Sequence, residues 1–232
     1  MIKNVFLQER CMNSSFELLV ALKKAGYPRR ERDRLWWPKS KTFWVIVGAI
    51  LTQQTKWENV EKSMASLESA GIASLETLAK LDVSSLADLI KPSGFYNTKA
   101  KNLHLLSHAI NNVFGDFESF CFNVDREWLL SQKGIGEESA DSILCYACAK
   151  EVLVVDAYTS RLLEAFGYEF DSYGALQEWM IYGLSEASSQ IETLYGRAIS
   201  INELYARFHG KIVEFCKENS SGKKVNIESL GL

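Results

Sequence analysis

Proline is scarce in this chain: Pro28, Pro38 and Pro92 are the only three among 232 residues, and each falls in a stretch that reads as a loop. Long helices are therefore free to run. Sustained alternation of polar and apolar residues is missing too, which excludes a sheet of any size. Val152-Leu153-Val154-Val155 is strand-like but short, and it reads as a buried extended connector. No apolar run approaches the roughly 20 residues of a membrane span; the longest, Phe43 to Leu51, reads as a buried helix. The N-terminus lacks the apolar core and cleavage site of a signal peptide, so the cytoplasm is the expected compartment.

Cysteines are few and odd in number: Cys11, Cys121, Cys145, Cys148 and Cys216. Count and scatter argue against a disulfide framework. Cys145 and Cys148 are spaced as C-x-x-C, but inside an apolar helical stretch (Ser142 to Ala149) they read as two small core residues one turn apart. Neither sign of charge dominates. A net charge of −3 and a pI near 5.7 exclude nucleic-acid binding across the whole surface and leave room for a local patch. Eight Lys or Arg residues lie between Ala21 and Lys41, against Glu31 and Asp33 alone; by itself that segment reads as a solvated basic loop.

What remains is ordinary for a globular protein, 47% hydrophobic and 24% charged, and it is patterned for helices. Apolar spacing predicts them over about 14–25, 42–52, 55–70, 74–80, 83–90, 99–114, 126–132, 137–149, 157–166, 173–185 and 199–217. Thr55-Lys56-Trp57-Glu58 matches a capping box with Thr55 as N-cap, and Asp82 and Asp125 are good caps. The polar tail from Asn219 is expected to fray. The fold class is all-α; the family resemblance that the motifs below carry implies two helical lobes with an active-site cleft between them. The central lobe spans 37–150 and carries a hairpin of helices over about 126–149. The second lobe joins 1–36 to 151–232.

The most informative stretch is Leu129-Leu130-Ser131-Gln132-Lys133-Gly134-Ile135-Gly136-Glu137-Glu138-Ser139-Ala140. A short helix meets a Gly-x-Gly turn and a second helix begins at once. Glycines open backbone angles closed to other residues, free amides of the second helix can meet a phosphate oxygen, and Ile135 can pack between the helices. That is the form of a helix-hairpin-helix clamp on a DNA backbone; the ordinary reading is a glycine-rich connector. Val154-Val155-Asp156-Ala157-Tyr158-Thr159-Ser160-Arg161 then places a carboxylate at a helix N-terminus, where its ordinary role is an N-cap.

Together these resemble the helix-hairpin-helix, glycine-rich, catalytic-aspartate signature of the endonuclease III superfamily, whose Val-Asp-x-x-x-x-Arg sequence is matched from Val155 to Arg161. Ile50-Leu51-Thr52-Gln53-Gln54-Thr55 looks like the family's Leu-x-x-Gln-x-Thr region. Gly94-Phe95-Tyr96-Asn97-Thr98-Lys99-Ala100 resembles its Gly-hydrophobic-Tyr-Asn-x-Lys-Ala loop. The resemblance runs in order from about Phe43 to Phe166, and it is strongest to bacterial monofunctional 3-methyladenine glycosylases without an iron–sulfur cluster.

The resemblance implies a monomer, DNA-associated in a bacterial cytoplasm, that binds damaged double-stranded DNA and flips out the base. Asp156 would stand near the sugar C1′ as catalytic carboxylate, Gln54 would fill the vacated stack, and Lys133, Gly134, Ile135 and Gly136 would hold the backbone. Two departures matter. Bifunctional members carry a lysine where this chain has Glu138, and a carboxylate cannot form a Schiff base. After Cys148 only Cys216 remains, and one thiolate cannot hold a cluster that needs four; no cofactor or metal is expected.

Trp36, Trp37 and Trp57 are the candidate base pocket, although one of the Trp36–Trp37 pair is expected in the core. His104, His108 and His209 sit on helices, and no general acid is obvious. That favours alkylated purines, 3-methyladenine first, since a cationic base leaves readily and gains a cation–π contact with tryptophan. The alternatives are a monofunctional glycosylase for mismatched or oxidised bases and a non-catalytic helix-hairpin-helix module. Lys211 falls on the apolar face of its helix, where a lysine ordinarily snorkels to solvent; if buried it must be paired, neutral or modified, for instance as a carbamate.

Overall fold

Eight of the thirteen described α-helices begin where a short polar side chain accepts from the first free amides. Ser14 accepts from the Glu17 amide, Asp82 from Ser85 at 2.9 Å, Asp116 from Ser119 at 2.7 Å and Asp125 from Trp128 at 2.7 Å. The computed structural model describes residues 3–4, 12–29 and 33–232. In chain order the helices are α1 (Ser15–Lys24), α2 (Trp44–Leu51), α3 (Trp57–Ser69), α4 (Leu75–Ala79), α5 (Val83–Leu89), α6 (Tyr96–Phe114), α7 (Phe117–Asn123) and α8 (Arg126–Ser131). They continue with α9 (Glu137–Ser142), prolonged as a π-helical turn over Ile143–Ala147, then α10 (Ala157–Ala165), α11 (Tyr173–Ser185), α12 (Ser188–Tyr195) and α13 (Ile201–Asn219). Strand among the described residues is confined to pairs of two residues, 3–4 with 168–169 and 220–221 with 224–225. The fold is all-α.

The chain divides into two compact units, residues 38–150 and residues 1–37 with 151–232. In the first, every residue of α2 is buried, because Val, Ile, Ala and Leu leave it no polar face. Helix α3 offers Val60, Met64 and Leu67, and α6 offers Leu103, Leu106 and Ile110, each set at the three- and four-residue steps of one helical face. Lys99, on α6, is buried as well. Its amine donates to the carbonyls of Leu51 (2.8 Å) and Ser93 (2.7 Å) and to the Thr55 hydroxyl (2.7 Å). It thereby takes up orphan carbonyls where α2 ends and where the 91–93 turn precedes α6, and burial pushes its pKa down to about 8.

In the second unit, α10 packs on α13 and α1 on α11, around a core that includes Leu18, Leu22, Leu162, Met180, Phe208 and Phe215. A Cβ on Gly183 of α11 would stand 2.8 Å from the Ser15 backbone nitrogen. The glycine thus lets α1 begin directly against α11, and the Ser15 hydroxyl donates to the Met180 carbonyl at 2.6 Å. The connector 152–155 is neither helix nor strand, and Leu153, Val154 and Val155 in it are buried.

Two expectations about the elements fail. The capping box at Thr55 does not form: Lys56 is the N-cap of α3 and makes no side-chain cap, because the Thr55 hydroxyl is drawn to the carbonyls of Gln53 and Ser93. The tail does not fray; it returns as the 220–225 hairpin and buries Leu230. Helices α7 and α12 lie outside the predicted set.

The hairpin glycines differ in what they require. Gly134 has φ +83°, and a Cβ there would lie 2.0 Å from Nδ2 of Asn102, whereas Gly136 (φ −99°) has nothing within 4 Å. Gly134→Ala is therefore expected to cost at least about 1–2 kcal/mol from the left-handed backbone alone, and Gly136→Ala clearly less. Urea unfolding of the two variants measures the contrast.

Candidate active site

Asp156 caps α10. Its Oδ1 accepts from the Thr159 amide (2.9 Å) and the Thr159 hydroxyl (3.1 Å), and the hydroxyl also accepts from the Asp156 amide, closing a capping box. Oδ2 lies 3.4 Å from Nε2 of His209 on α13. Burial would push the carboxyl up; His209 and then Thr159 outweigh it and hold the pKa below the ordinary value. The side chain keeps 12% of its surface accessible, so a charged carboxylate remains reachable. Such a group can stabilise developing positive charge on a sugar carbon or orient a water molecule.

His209 is a neighbour that sequence reasoning passed over. Asp-x-x-Thr was legible as a cap, but no spacing signal connects Asp156 to a histidine on a distant helix. His209 packs edge-on against Trp36, with ring centroids 5.6 Å apart. Trp36 has φ +74°, and its indole N–H donates to Glu214 at 2.8 Å. The ring fits only because position 210 is glycine: a Cβ there would come within 2.3 Å of it. Asp156, His209 and Trp36 thus form one cluster. Trp37 is 6% exposed and belongs to the core, which leaves Trp36 as the half-buried member of the pair.

Lys211 does not snorkel. It is 2% exposed, and its amine rests 5.8 Å from the Tyr195 ring centroid. Burial, then the charges of Arg207 and Lys23, push its pKa down to about 7.

The remaining candidates lie in the 38–150 unit. Gln54 is exposed at the tip of the α2–α3 turn with φ +52°. Its neighbour Gln53, unremarked in the sequence, donates to the Gly134 carbonyl (2.9 Å) and the Ser139 hydroxyl (3.0 Å) and so ties that turn to the hairpin. Trp57 opens α3 half-buried, with its N–H on Glu61 at 2.8 Å. In the hairpin Lys133, Gly134 and Gly136 are exposed and Ile135 is buried. Arg126 of α8 holds it together through buried Asp141 of α9 (2.7 Å) and Glu137 (3.3 Å). Glu138 is exposed in the first turn of α9. Phe95, also unremarked, is 69% exposed at φ +46°, in the turn that Lys99 fastens to Thr55.

Among the described residues no group of three or more His, Cys, Asp or Glu could hold a metal ion. Cys216 is buried with its thiol toward the Tyr158 carbonyl, which does not fit a four-thiolate cluster.

Residues 47–172 match the family described as HhH-GPD superfamily base excision DNA repair proteins. The chain is similar to the crystal structure of an H. pylori 3-methyladenine DNA glycosylase bound to 1,N6-ethenoadenine, at 47% identity and a TM-score of 0.86, over 90% of this chain and 99% of that one. A Methanocaldococcus jannaschii protein named provisionally as a DNA repair glycosylase is 36% identical over 189 residues, 79% of this chain and 80% of its own. A trapped endonuclease III–DNA covalent intermediate shares the fold, with a TM-score of 0.70 at 15% identity over 94% and 93% of the two chains.

Lys211 gives stability a pH dependence. The unfolded amine titrates near 10.5 and the folded one near 7. The folded state therefore binds fewer protons within that window, and stability rises with pH across it. Lys211→Met is expected to be more stable at pH 7 and to lower the slope between pH 7 and 10 by about 1.4 kcal/mol per unit. Urea denaturation across that range measures it.

Proposed function

The chain is a DNA glycosylase belonging to the HhH-GPD superfamily of base excision DNA repair proteins, and from that premise we propose that it hydrolyses the N-glycosidic bond of alkylated purines, 3-methyladenine first, and leaves the strand uncut. The observation that carries this reading is Asp156: a partly accessible carboxylate held charged by Thr159 and His209. The substrate class is supported by the H. pylori relative, whose bound 1,N6-ethenoadenine is itself an adenine alkylated on the ring. It is supported also by Trp36 and Trp57, whose faces can stack on a base.

In this reading a flipped 3-methyladenine already carries positive charge and leaves readily. The work left to the protein is to hold the base and to stabilise the oxocarbenium-like sugar with Asp156, which also orients water. Gln54 fills the vacated stack, and Phe95, in the turn fastened by Lys99, offers an apolar wedge beside it. The hairpin from Lys133 to Gly136 takes the backbone phosphates. The protein acts as a monomer and needs no iron–sulfur cluster. A neutral Lys211 amine is nucleophilic enough to take up carbon dioxide as a carbamate, which a bicarbonate-dependent carbon-13 NMR signal, lost in Lys211→Met, would register.

Asp156→Asn is expected to lower release of 3-methyladenine from alkylated duplex DNA by orders of magnitude, while melting reports whether the cap survives. With Glu138 at the lyase position the product is an intact abasic site that breaks only after alkali, and borohydride traps no protein–DNA adduct. Activity on mismatched or oxidised bases above that on alkylated purines, in a substrate panel, would favour the other reading.

Trp57→Ala should slow excision of alkylated adenine roughly ten- to a hundred-fold, matching about 1–3 kcal/mol of lost stacking, with little change in melting temperature. Early melting with full residual activity would instead make Trp57 a structural residue.

A further inference from the structure

The sequence reads Cys145 and Cys148 as two core residues, and the structure bears that out for Cys145 alone. Cys145 is wholly buried and faces the core. Between it and Cys148 the helix widens into its π-helical turn, where the Cys148 amide reaches back to the Ile143 carbonyl at 3.1 Å. Cys148 then emerges half-buried. It meets Cys121 of α7, whose thiol lies 3.6 Å from the Ala147 carbonyl, the group joined directly to the Cys148 nitrogen. Both thiols line an open cavity of about 480 Å³, together with Lys41, Phe117, Phe122 and Lys150. Small solutes can therefore reach a pair of thiols that excision does not use.

We propose that Cys121 and Cys148 are an oxidation site for hydroperoxides, in which Cys121 is attacked first and Cys148 resolves it to a disulfide. The two thiols are not equivalent. The hydrogen bond from Cys148 holds the Cys121 thiol below its ordinary range, with help from the Lys150 charge and against burial. The same bond, with burial, pushes Cys148 up. Lys150 is fixed at the rim by the Phe122 carbonyl (3.3 Å) and the Val124 carbonyl. Burial raises Cys145 and Cys216 and makes them inert.

The chemistry balances. The Cys121 thiolate attacks one peroxide oxygen; an S–O bond forms, the O–O bond breaks, and the leaving oxygen takes a proton to become water or an alcohol. Sulfur loses two electrons to the peroxide. The Cys148 sulfur then attacks the sulfenic sulfur; the S–S bond forms, the S–O bond breaks, and the hydroxyl leaves with the thiol proton as water. The product joins α7 covalently to the end of the helix that starts at the hairpin.

The test uses the full chain with Cys11→Ser, since Cys11 lies outside the described residues and would complicate the mass spectrum. Hydrogen peroxide should remove two hydrogens from the intact mass, peptide mapping should place the cross-link between Cys121 and Cys148, and a thiol reductant should reverse it. With Cys148→Ser added, dimedone should trap a sulfenic acid on Cys121; with Cys121→Ser instead, Cys148 should stay unlabelled under the same exposure. Independently of any variant at the pair, iodoacetamide should alkylate Cys121 at least about ten-fold faster than Cys148. Absence of the cross-link overturns the proposal, as does equal labelling of Cys148 in the Cys121→Ser protein.

Discussion

The proposed chemistry asks Asp156 to keep a negative charge where most of the surrounding water has gone. A carboxylate buried without partners would take up a proton instead. The fold answers by making the residue the first turn of a helix: the amide and hydroxyl of Thr159 point at one oxygen, and His209 stands against the other. Chemistry and local structure are thereby fused. The same oxygen that keeps the group charged also starts α10, and α10 is seated on the helix that brings His209.

The rule that buried charge must meet oriented dipoles or an opposite charge organises other parts of the molecule. Asp141 is enclosed and meets Arg126; Glu203 meets Arg34 and Arg197; Lys99 meets two carbonyls and a hydroxyl. Each of these helps to fasten separate segments of chain. Lys99 locks the turn bearing Gln54 to the turn bearing Phe95, and Gln53 extends the connection to the hairpin. These two turns and the hairpin thus form one hydrogen-bonded body within the 38–150 unit, which would limit the ordering cost if they bind DNA as proposed. Lys211 is the exception: it faces an aromatic ring and other cations, and its lowered pKa is the consequence.

Helix α13 shows how much adjacent positions can differ. His209 turns to Asp156, Gly210 clears space for the Trp36 ring, and Lys211 is driven into the interior. Successive residues on a helix face different neighbours, so one element can serve the carboxylate, an aromatic and a buried amine at once.

The helical class was legible in the sequence by itself, because caps, apolar spacing and Gly-x-Gly turns are local and span one or two turns of chain; the family was legible only through the resemblance of its motifs, taken in order. That locality is also why Asp156 could be singled out as a helix-initiating carboxylate. Only tertiary structure decided that His209 stands beside it, that Gln53 reaches the hairpin, that Thr55 abandons its cap for Ser93, and that Cys148 meets Cys121 rather than Cys145. It decided too that Lys211 is covered: spacing placed that lysine on an apolar face, but a long flexible side chain reaches water unless other helices close over it. Each of these contacts joins residues far apart in the chain, and which partner arrives depends on how helices pack, a property that no run of neighbouring residues encodes.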